Sequence, residues 1–376
     1  MRSLLFALVT LCLVGPLPVL AQNSIYGVHG VGFPGRPHSA RSRALGGGLA
    51  MFDARSALNP ASIASLGPLV ITASSGTSLR EFTALDSVVT GLSETRFPYA
   101  FVGTAIGSTP LSFALSYSSY SQRSFDHTTT DSVTIRGEDM GVEDQIASTG
   151  AVADLRAALA WRVARRVNVG GAVHLLTGSV HRVAKRSFSS DIYYDMDEDT
   201  RIQLSGFGIS AGVMFAPIPE VNIAASFRSD KELNSNVLAY EYDSVDLPIS
   251  YAAGLFIMAH PAISLSATAE RHLWSSADAD LAAAGGANAF DTWAVGAGLE
   301  LGGSSRFPVR LGARYGLLPF SPTDEQPTEF LVSAGTALTF AGGRAVIEAA
   351  VERAKRDGAG AEERAWFLMF ALTVTP

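Results

Sequence analysis

Few side chains in this sequence stand where they could break or form bonds. Seven histidines are scattered over 376 residues, and none is spaced so that two would share a metal. The only cysteine, Cys12, lies in an apolar run near the N-terminus. A mature chain cut after that run has no disulfide, thiolate ligand or cysteine nucleophile. Asp191, Asp195, Asp197, Glu198 and Asp199 form an acidic run without the glycine and spacing of a calcium loop. It reads as a solvated loop, with cation bridging to surface lipopolysaccharide as the other reading. Gly46, Gly47 and Gly48 follow no strand and precede no Lys-Ser/Thr pair, which argues against a phosphate loop. Asn59-Pro60-Ala61 matches a water-channel signature, but it occurs once and without a membrane helix. His174 shares a strand face with Asn168, and no serine stands out as its partner, so it reads as a hydrogen-bonded wall residue. The residues imply no enzyme, no metal and no cofactor.

The elements that position these residues begin with an export leader. Arg2 is its charged start, residues 4–14 its apolar stretch, and Val19, Leu20 and Ala21 its cleavage site. The apolar run is too short to cross a bilayer, and Gly15, Pro16 and Pro18 interrupt it. Loss of the leader leaves 27 basic against 35 acidic residues, a net charge of −8. No basic patch dominates, so a nucleic-acid partner is not expected.

From Leu69 onward, apolar residues alternate with small, polar or charged ones in segments of about ten residues, the length of a tilted strand crossing a bilayer. Fourteen segments are expected: 69–80, 96–107, 110–122, 149–164, 166–182, 200–216, 221–233, 247–259, 262–273, 290–302, 306–318, 328–340, 343–355 and 363–375. Short connections alternate with long polar ones near 81–95, 123–148, 183–199, 234–246, 274–289, 319–327 and 356–362. Tight turns on one rim and long loops on the other are the pattern of an outer-membrane barrel. An even strand number puts both termini in the periplasm. The alternation sends Asp154, Arg156, Arg162, Arg228, Glu270, Glu300, Arg310, Arg314, Glu348 and Glu352 into the lumen, where charges of both signs are expected to pair. The apolar parity changes near Gly206 and Phe207, which predicts a bulge or kink at Gly206 and a candidate gap in the wall. Aromatics near strand ends, among them Trp161, Trp274, Trp293, Phe320 and Trp366, are expected in interfacial girdles. The last strand, 365–375, is apolar on both faces, as if something packs inside it.

One stretch is not a strand. Ser39 and Ala40, the glycines Gly46, Gly47 and Gly48, then Asp53, Ser56 and Ala57, and Asn59, Pro60 and Ala61 are similar to the N-terminal motif of the FadL/TodX family of outer-membrane transport proteins. The resemblance implies a barrel of fourteen strands with a plug in its lumen. Residues 1–21 would be the signal peptide, 22–66 the hatch and 67–376 the transmembrane barrel. Asn59, Pro60 and Ala61 would be hatch residues and Gly46, Gly47 and Gly48 a flexible lead-in. It also implies passive uptake of long-chain fatty acids or aromatic hydrocarbons, with lateral exit through a gap made by a kinked strand. The expected surroundings are lipid and lipopolysaccharide of a Gram-negative outer membrane, and the expected state is a monomer. This chain is shorter than the better-known transporters, and its 81–95 connection is poor in apolar residues. The alternative is therefore a barrel of a protein secretion or assembly system, or a structural surface protein.

Overall fold

A computed structural model describes residues 24–84, 87–135, 137–190, 192–237, 240–283 and 287–376. The leader expected over 1–21 and Asp191 of the acidic run lie outside the described residues. Fourteen staves form a closed antiparallel barrel. In chain order they are β1 (Val70–Ala84), β2 (Ser87–Arg96 and Tyr99–Ala105), β3 (Leu111–Gln122 and Phe125–Ile135), β4 (Glu138–Ala164), β5 (Val167–Phe188), β6 (Met196–Ile218) and β7 (Val221–Val237). The second half comprises β8 (Tyr240–Asp246 and Ile249–His260), β9 (Ile263–Leu273), β10 (Thr292–Leu301), β11 (Val309–Leu317), β12 (Thr328–Phe340), β13 (Ala345–Gly358) and β14 (Ala361–Val374). The ladder closes where β14 pairs with β1, from Ile71 opposite Val374 to Ala84 opposite Ala361.

The outward parity is apolar and uncovered. Leu115, Leu159, Val173, Ile209, Leu255, Val295, Leu311, Val332 and Leu368 all stand exposed on the outer wall. A band this continuous needs lipid against it rather than water. The inward parity carries small or charged residues: Ala114, Ala158, Ala160, Ala172 and Ala350 leave room, and the charged positions fill it.

The staves are taller than their apolar spans. β4, β5 and β6 run 27, 22 and 23 residues, against about 10 needed to cross a bilayer. Most of the connections expected as loops at 81–95, 123–148, 183–199 and 234–246 are instead hairpin extensions of the wall. Their runs of Thr, Ser and Val favour the pleated chain even after the apolar face ends. On the opposite side β10 and β11 have only 10 and 9 residues, and the connection after β9 folds inward through short helical turns at Trp274–Ala277 and Asp278–Ala283.

Gly206 carries no bulge. Even-numbered residues of β6 point inward from Ile202 through Met214 without interruption, and β5 pairs with this stretch in unbroken register. The apolar pattern changes side because the surroundings do. Above Gly206 the outer face meets water, while inside Leu204 packs against an apolar cluster at the mouth. The irregularity lies on the neighbouring stave, where the register of β7 shifts between Asp230 and Leu233. Trp274 and Phe320 are not girdle residues. They are buried in the mouth cluster, edge to face at 4.9 Å, with Val31, Leu176, Leu233 and Leu281 around them.

Residues 24–66 pass down through the lumen. Tyr26 Oη donates to the carbonyls of Gly358 and Ala361 at 3.1 and 2.6 Å, beside the β13–β14 turn at the long-loop rim. The first described residues therefore lie at the rim opposite the one expected for both termini, whereas β14 ends at the short-turn rim. The segment then forms a single helical turn, α1 (Ala40–Ala44), and a 3-10 helix, Pro60–Ser65, before entering β1. Ile63 is fully buried with Ala57, Tyr99, Ala114 and Met369. Met369 and Ala371 of β14 thus face the inner segment, which accounts for the two apolar faces of that strand.

Candidate functional site in the barrel lumen

Besides the apolar packing of Met51, Ala61 and Ile63, the inner segment is held to the wall by polar contacts. Gly46, Gly47 and Gly48 are pinned rather than loose. Gly46 N donates to Ser333 Oγ at 2.9 Å, and Ser333 Oγ donates to Ala44 O at 3.0 Å. Thr268 Oγ1 donates to Gly48 O at 2.8 Å. At Gly46, φ is +62° and a Cβ would stand 2.5 Å from Ala313 O, so both backbone conformation and space require glycine. Asn59 caps the helix that follows. Its Oδ1 accepts from Ala61 N at 3.0 Å and its Nδ2 donates to Met51 O at 3.1 Å. Pro60 opens that helix at a position where its missing N–H costs nothing.

The charges of the lumen are mostly paired, and the inner segment supplies half of several pairs. Glu300 accepts from Arg41 Nε at 3.0 Å and from Arg310 Nε at 2.6 Å. Arg310 Nη1 reaches Glu348 at 3.0 Å, and Glu348 also accepts from Arg55. Arg55 returns to Asp53, which accepts from Ser39 Oγ. Arg43 and Arg36 share Glu352 at 3.0 and 3.1 Å. Arg314 pairs with Glu270 at 2.6 Å. Arg162 lies on the inward parity at the short-turn rim, exposed to solvent, and its Nη2 donates to Ala64 O at 2.7 Å. Arg156 is buried, and its three guanidinium nitrogens have no hydrogen-bond partner among the described residues.

Among the displaced titrations on the inner segment are those of His38 and Asp53. Burial holds the His38 imidazole down, to about 3. Burial works against ionisation of Asp53, but the Arg55 and Arg41 guanidiniums and the Ser39 hydroxyl outweigh it and hold the carboxyl at about 2.

Among the described residues, the wall has a seam between β2 and β3. Pro98, which lacks an N–H, interrupts β2 after Phe97. Beyond Pro98, whose carbonyl accepts from Ser119 N at 3.3 Å, the pairing between β2 and β3 stops. Among the described residues no backbone pairing joins Ser87–Arg96 to Phe125–Ile135. The inner segment takes the vacated edge. Its Phe33 and Pro34 pair with Gln122 and Ser121, and Gly35 N donates to Tyr120 O at 2.7 Å. Tyr120 is the extra residue of a register shift against β4. Unlike the register shift of β7 opposite Gly206 and Gly208, this break leaves two staves without backbone pairing. The alternation missed it because both halves of each stave keep a strand pattern; Pro98 was the one available signal.

Residues 33–36 also separate two cavities. The larger, about 150 Å³, is lined by Trp274, Leu318 and Tyr120 towards the mouth and by Asp154, Ser210, Arg228 and Asp230 on the wall. The smaller, about 70 Å³, lies on the seam side between Ser78, Pro98, Ser119, Gln122 and Phe367.

One wall cluster was not foreseen as a unit. His174 Nδ1 lies 3.0 Å from both Asp154 carboxylate oxygens, and His174 Nε2 lies 2.9 Å from Ser210 Oγ. Arg228 Nη1 donates to Asp154 at 2.7 Å and its Nε to Asp230 at 2.8 Å. No group of three or more acidic, histidine or cysteine side chains suited to a metal occurs among the described residues.

Solved structures with this architecture include the CymD monoaromatic hydrocarbon channel, at 13% identity and a TM-score of 0.59, over 91% of this chain and 98% of that one. The toluene transporter TbuX of Ralstonia pickettii matches at 15% and 0.60, over 90% and 98%. A FadL homologue of Pseudomonas aeruginosa matches at 12% and 0.61, over 92% and 99%. The fold is that of the FadL/TodX channels. No curated protein is similar enough in sequence to match. The BamG family model matches residues 1–326, and on that match the chain belongs to the BamG family.

Proposed function

We propose that this protein is a plugged outer-membrane channel that admits hydrophobic small molecules and releases them sideways into the membrane. The observation that carries this reading is the lower end of the seam between β2 and β3, next to Tyr117 of the apolar outer wall, with residues 33–36 of the plug seated in it between two cavities. The larger cavity begins at the apolar mouth; the smaller one borders the interrupted wall. Movement of two paired residues, Phe33 and Pro34, would join them. The matched structures named as hydrocarbon and toluene channels support the same class of cargo. In this reading residues 24–66 are the hatch, Gly46, Gly47, Gly48, Asn59, Pro60 and Ala61 hold its shape, and the lumenal ion pairs lock it. The long loops face outward, and the wall contacts lipid and lipopolysaccharide.

Liposomes carrying the purified barrel are expected to take up a long-chain fatty acid or alkyl-aromatic probe faster than protein-free liposomes. Ser119→Trp, which fills the smaller cavity, is expected to slow uptake about tenfold, an added barrier of about 1.4 kcal/mol. Equal uptake with and without the barrel would end this reading.

The height of β4, β5 and β6 supports a second reading, a barrel that binds another protein. Their extension carries exposed Ile146, Tyr194 and Met196 well above the apolar band. A protein recovered with the barrel in one-to-one ratio, and lost on trimming this extension, would favour it over uptake.

A further inference from the structure

We infer that Ser210, His174 and Asp154 form a serine hydrolase site in the lumen that cleaves small carboxylic esters. The inference goes beyond the channel reading and does not depend on it. Asp154 accepts only, so the imidazole must donate Nδ1–H to it, which leaves Nε2 free to accept the Ser210 hydroxyl proton. Nucleophile, base and orienting carboxylate therefore stand in hydrogen-bonding sequence at 2.9 and 3.0 Å. The fold holds this order from three staves. Asp154 is on β4, His174 on β5 and Ser210 on β6. Gly208 stands opposite both His174 and Asp230, and a Cβ there would overlap the Asp230 carboxylate. That glycine makes the space the polar cluster occupies.

Two further observations separate this cluster from a set of mutually satisfied wall residues. Ser210 fronts the cavity of about 150 Å³ rather than packed side chains. That volume suits a benzene-sized molecule. Arg228 stands directly opposite Ser210 in the β6–β7 ladder. It spends Nη1 on Asp154 and Nε on Asp230, and its Nη2 has no hydrogen-bond partner among the described residues. Arg228 lines the same cavity as Ser210, and its guanidinium is the positive charge nearest to hand for an oxyanion there. Phe33, Tyr120 and Leu318 offer apolar walls for the two arms of an ester.

The reaction runs in two halves. Ser210 Oγ bonds to the ester carbonyl carbon as its proton passes to His174 Nε2, and the carbonyl oxygen takes the electron pair facing Arg228. The oxyanion collapses, the bond to the alkoxy oxygen breaks, and that oxygen takes the proton from Nε2 and leaves as alcohol. A water molecule then gives its proton to Nε2, attacks the acyl carbon and releases the carboxylic acid, and Ser210 recovers its proton. Ser210 and His174 are catalytic residues here, and Asp154 is a positioning residue.

The test uses the purified full barrel, folded in detergent, with methanesulfonyl fluoride as probe. One sulfonyl group is expected on Ser210 by tandem mass spectrometry, and a chromogenic acetate ester is expected to be hydrolysed until that group is attached. His174→Gln, shown folded by heat-modifiable gel migration, is expected to slow labelling by roughly 10²-fold or more. Folded wild-type barrel that gains no sulfonyl group, gains it on another serine, or is labelled at Ser210 without hydrolysing ester overturns the assignment. The wild-type measurements stand even if the variant misfolds.

Discussion

Arg156 is buried without a hydrogen-bond partner for Nε, Nη1 or Nη2 among the described residues. A buried cation left so poorly compensated costs more than an apolar chain of the same length. Arg156→Met is therefore expected to leave stability unchanged or raise it by about 1–4 kcal/mol, read as the thermal unfolding midpoint in detergent. A lower midpoint would show that Arg156 has a partner the wall conceals. Glu348 is the opposite case, because it joins Arg310 of the wall to Arg55 of the inner segment. Glu348→Ala leaves the buried Arg310 and the half-buried Arg55 short of a carboxylate and is expected to cost about 3–5 kcal/mol, measured the same way. The two substitutions test one argument with opposite signs. Strand parity alone sends both residues inward. What parity cannot give is the pairing: Arg41 meets Glu300 across 259 positions of sequence. Nothing in the local pattern of residues 36–55 marks their arginines as half of the lumenal network. Ser210 was equally hidden from His174, because the relative register of β5 and β6 is set by the turn and the barrel, not by either strand's composition.

Among the elements, β2 carries the most consequence for its length. The period of two identifies staves well because each faces lipid on one side and a crowded lumen on the other. It cannot say where a stave loses its neighbour, since unpaired and paired strands share the same alternation. Pro98 decides that locally by removing a donor where the strand is interrupted between Arg96 and Tyr99. Pro98→Val restores the N–H and a β-branched residue. The expected result is slower amide hydrogen exchange at residues 97–99 and 118–122, with slower uptake of an alkyl-aromatic probe if the seam is the exit. Unchanged exchange there would show that the inner segment, rather than the proline, holds β2 and β3 apart. The expected kink at Gly206 rested on a real change in pattern. Its cause was the water line outside and the mouth cluster inside, two surroundings that the sequence of one strand does not name.

At the scale of the molecule, an outer barrel encloses an inner segment seated by charges, and that arrangement responds to acid. His38 is neutral in the fold, with its titration lowered by burial from 6.5 to about 3. Between those values the released imidazole binds a proton that the seated one does not, so the seated state loses stability as pH falls below 6.5. Asp53 is held at about 2 against 3.8 when free. Its stabilisation is complete above 3.8 and is lost as pH falls through 2. Both signs agree, and the barrel ladder has no such dependence on these two side chains. The inner segment is therefore expected to unseat in acid while the barrel persists. Single barrels in a planar bilayer should then show little conductance at neutral pH and a rising open probability below about pH 6. His38→Leu removes the upper window and should move the onset towards pH 4, where Asp53 begins to protonate. Deletion of residues 36–61 should give high conductance at every pH. A deletion variant as tight as the whole protein would mean that the mouth cluster of Trp274, Phe320 and Leu281, rather than the inner segment, closes the barrel.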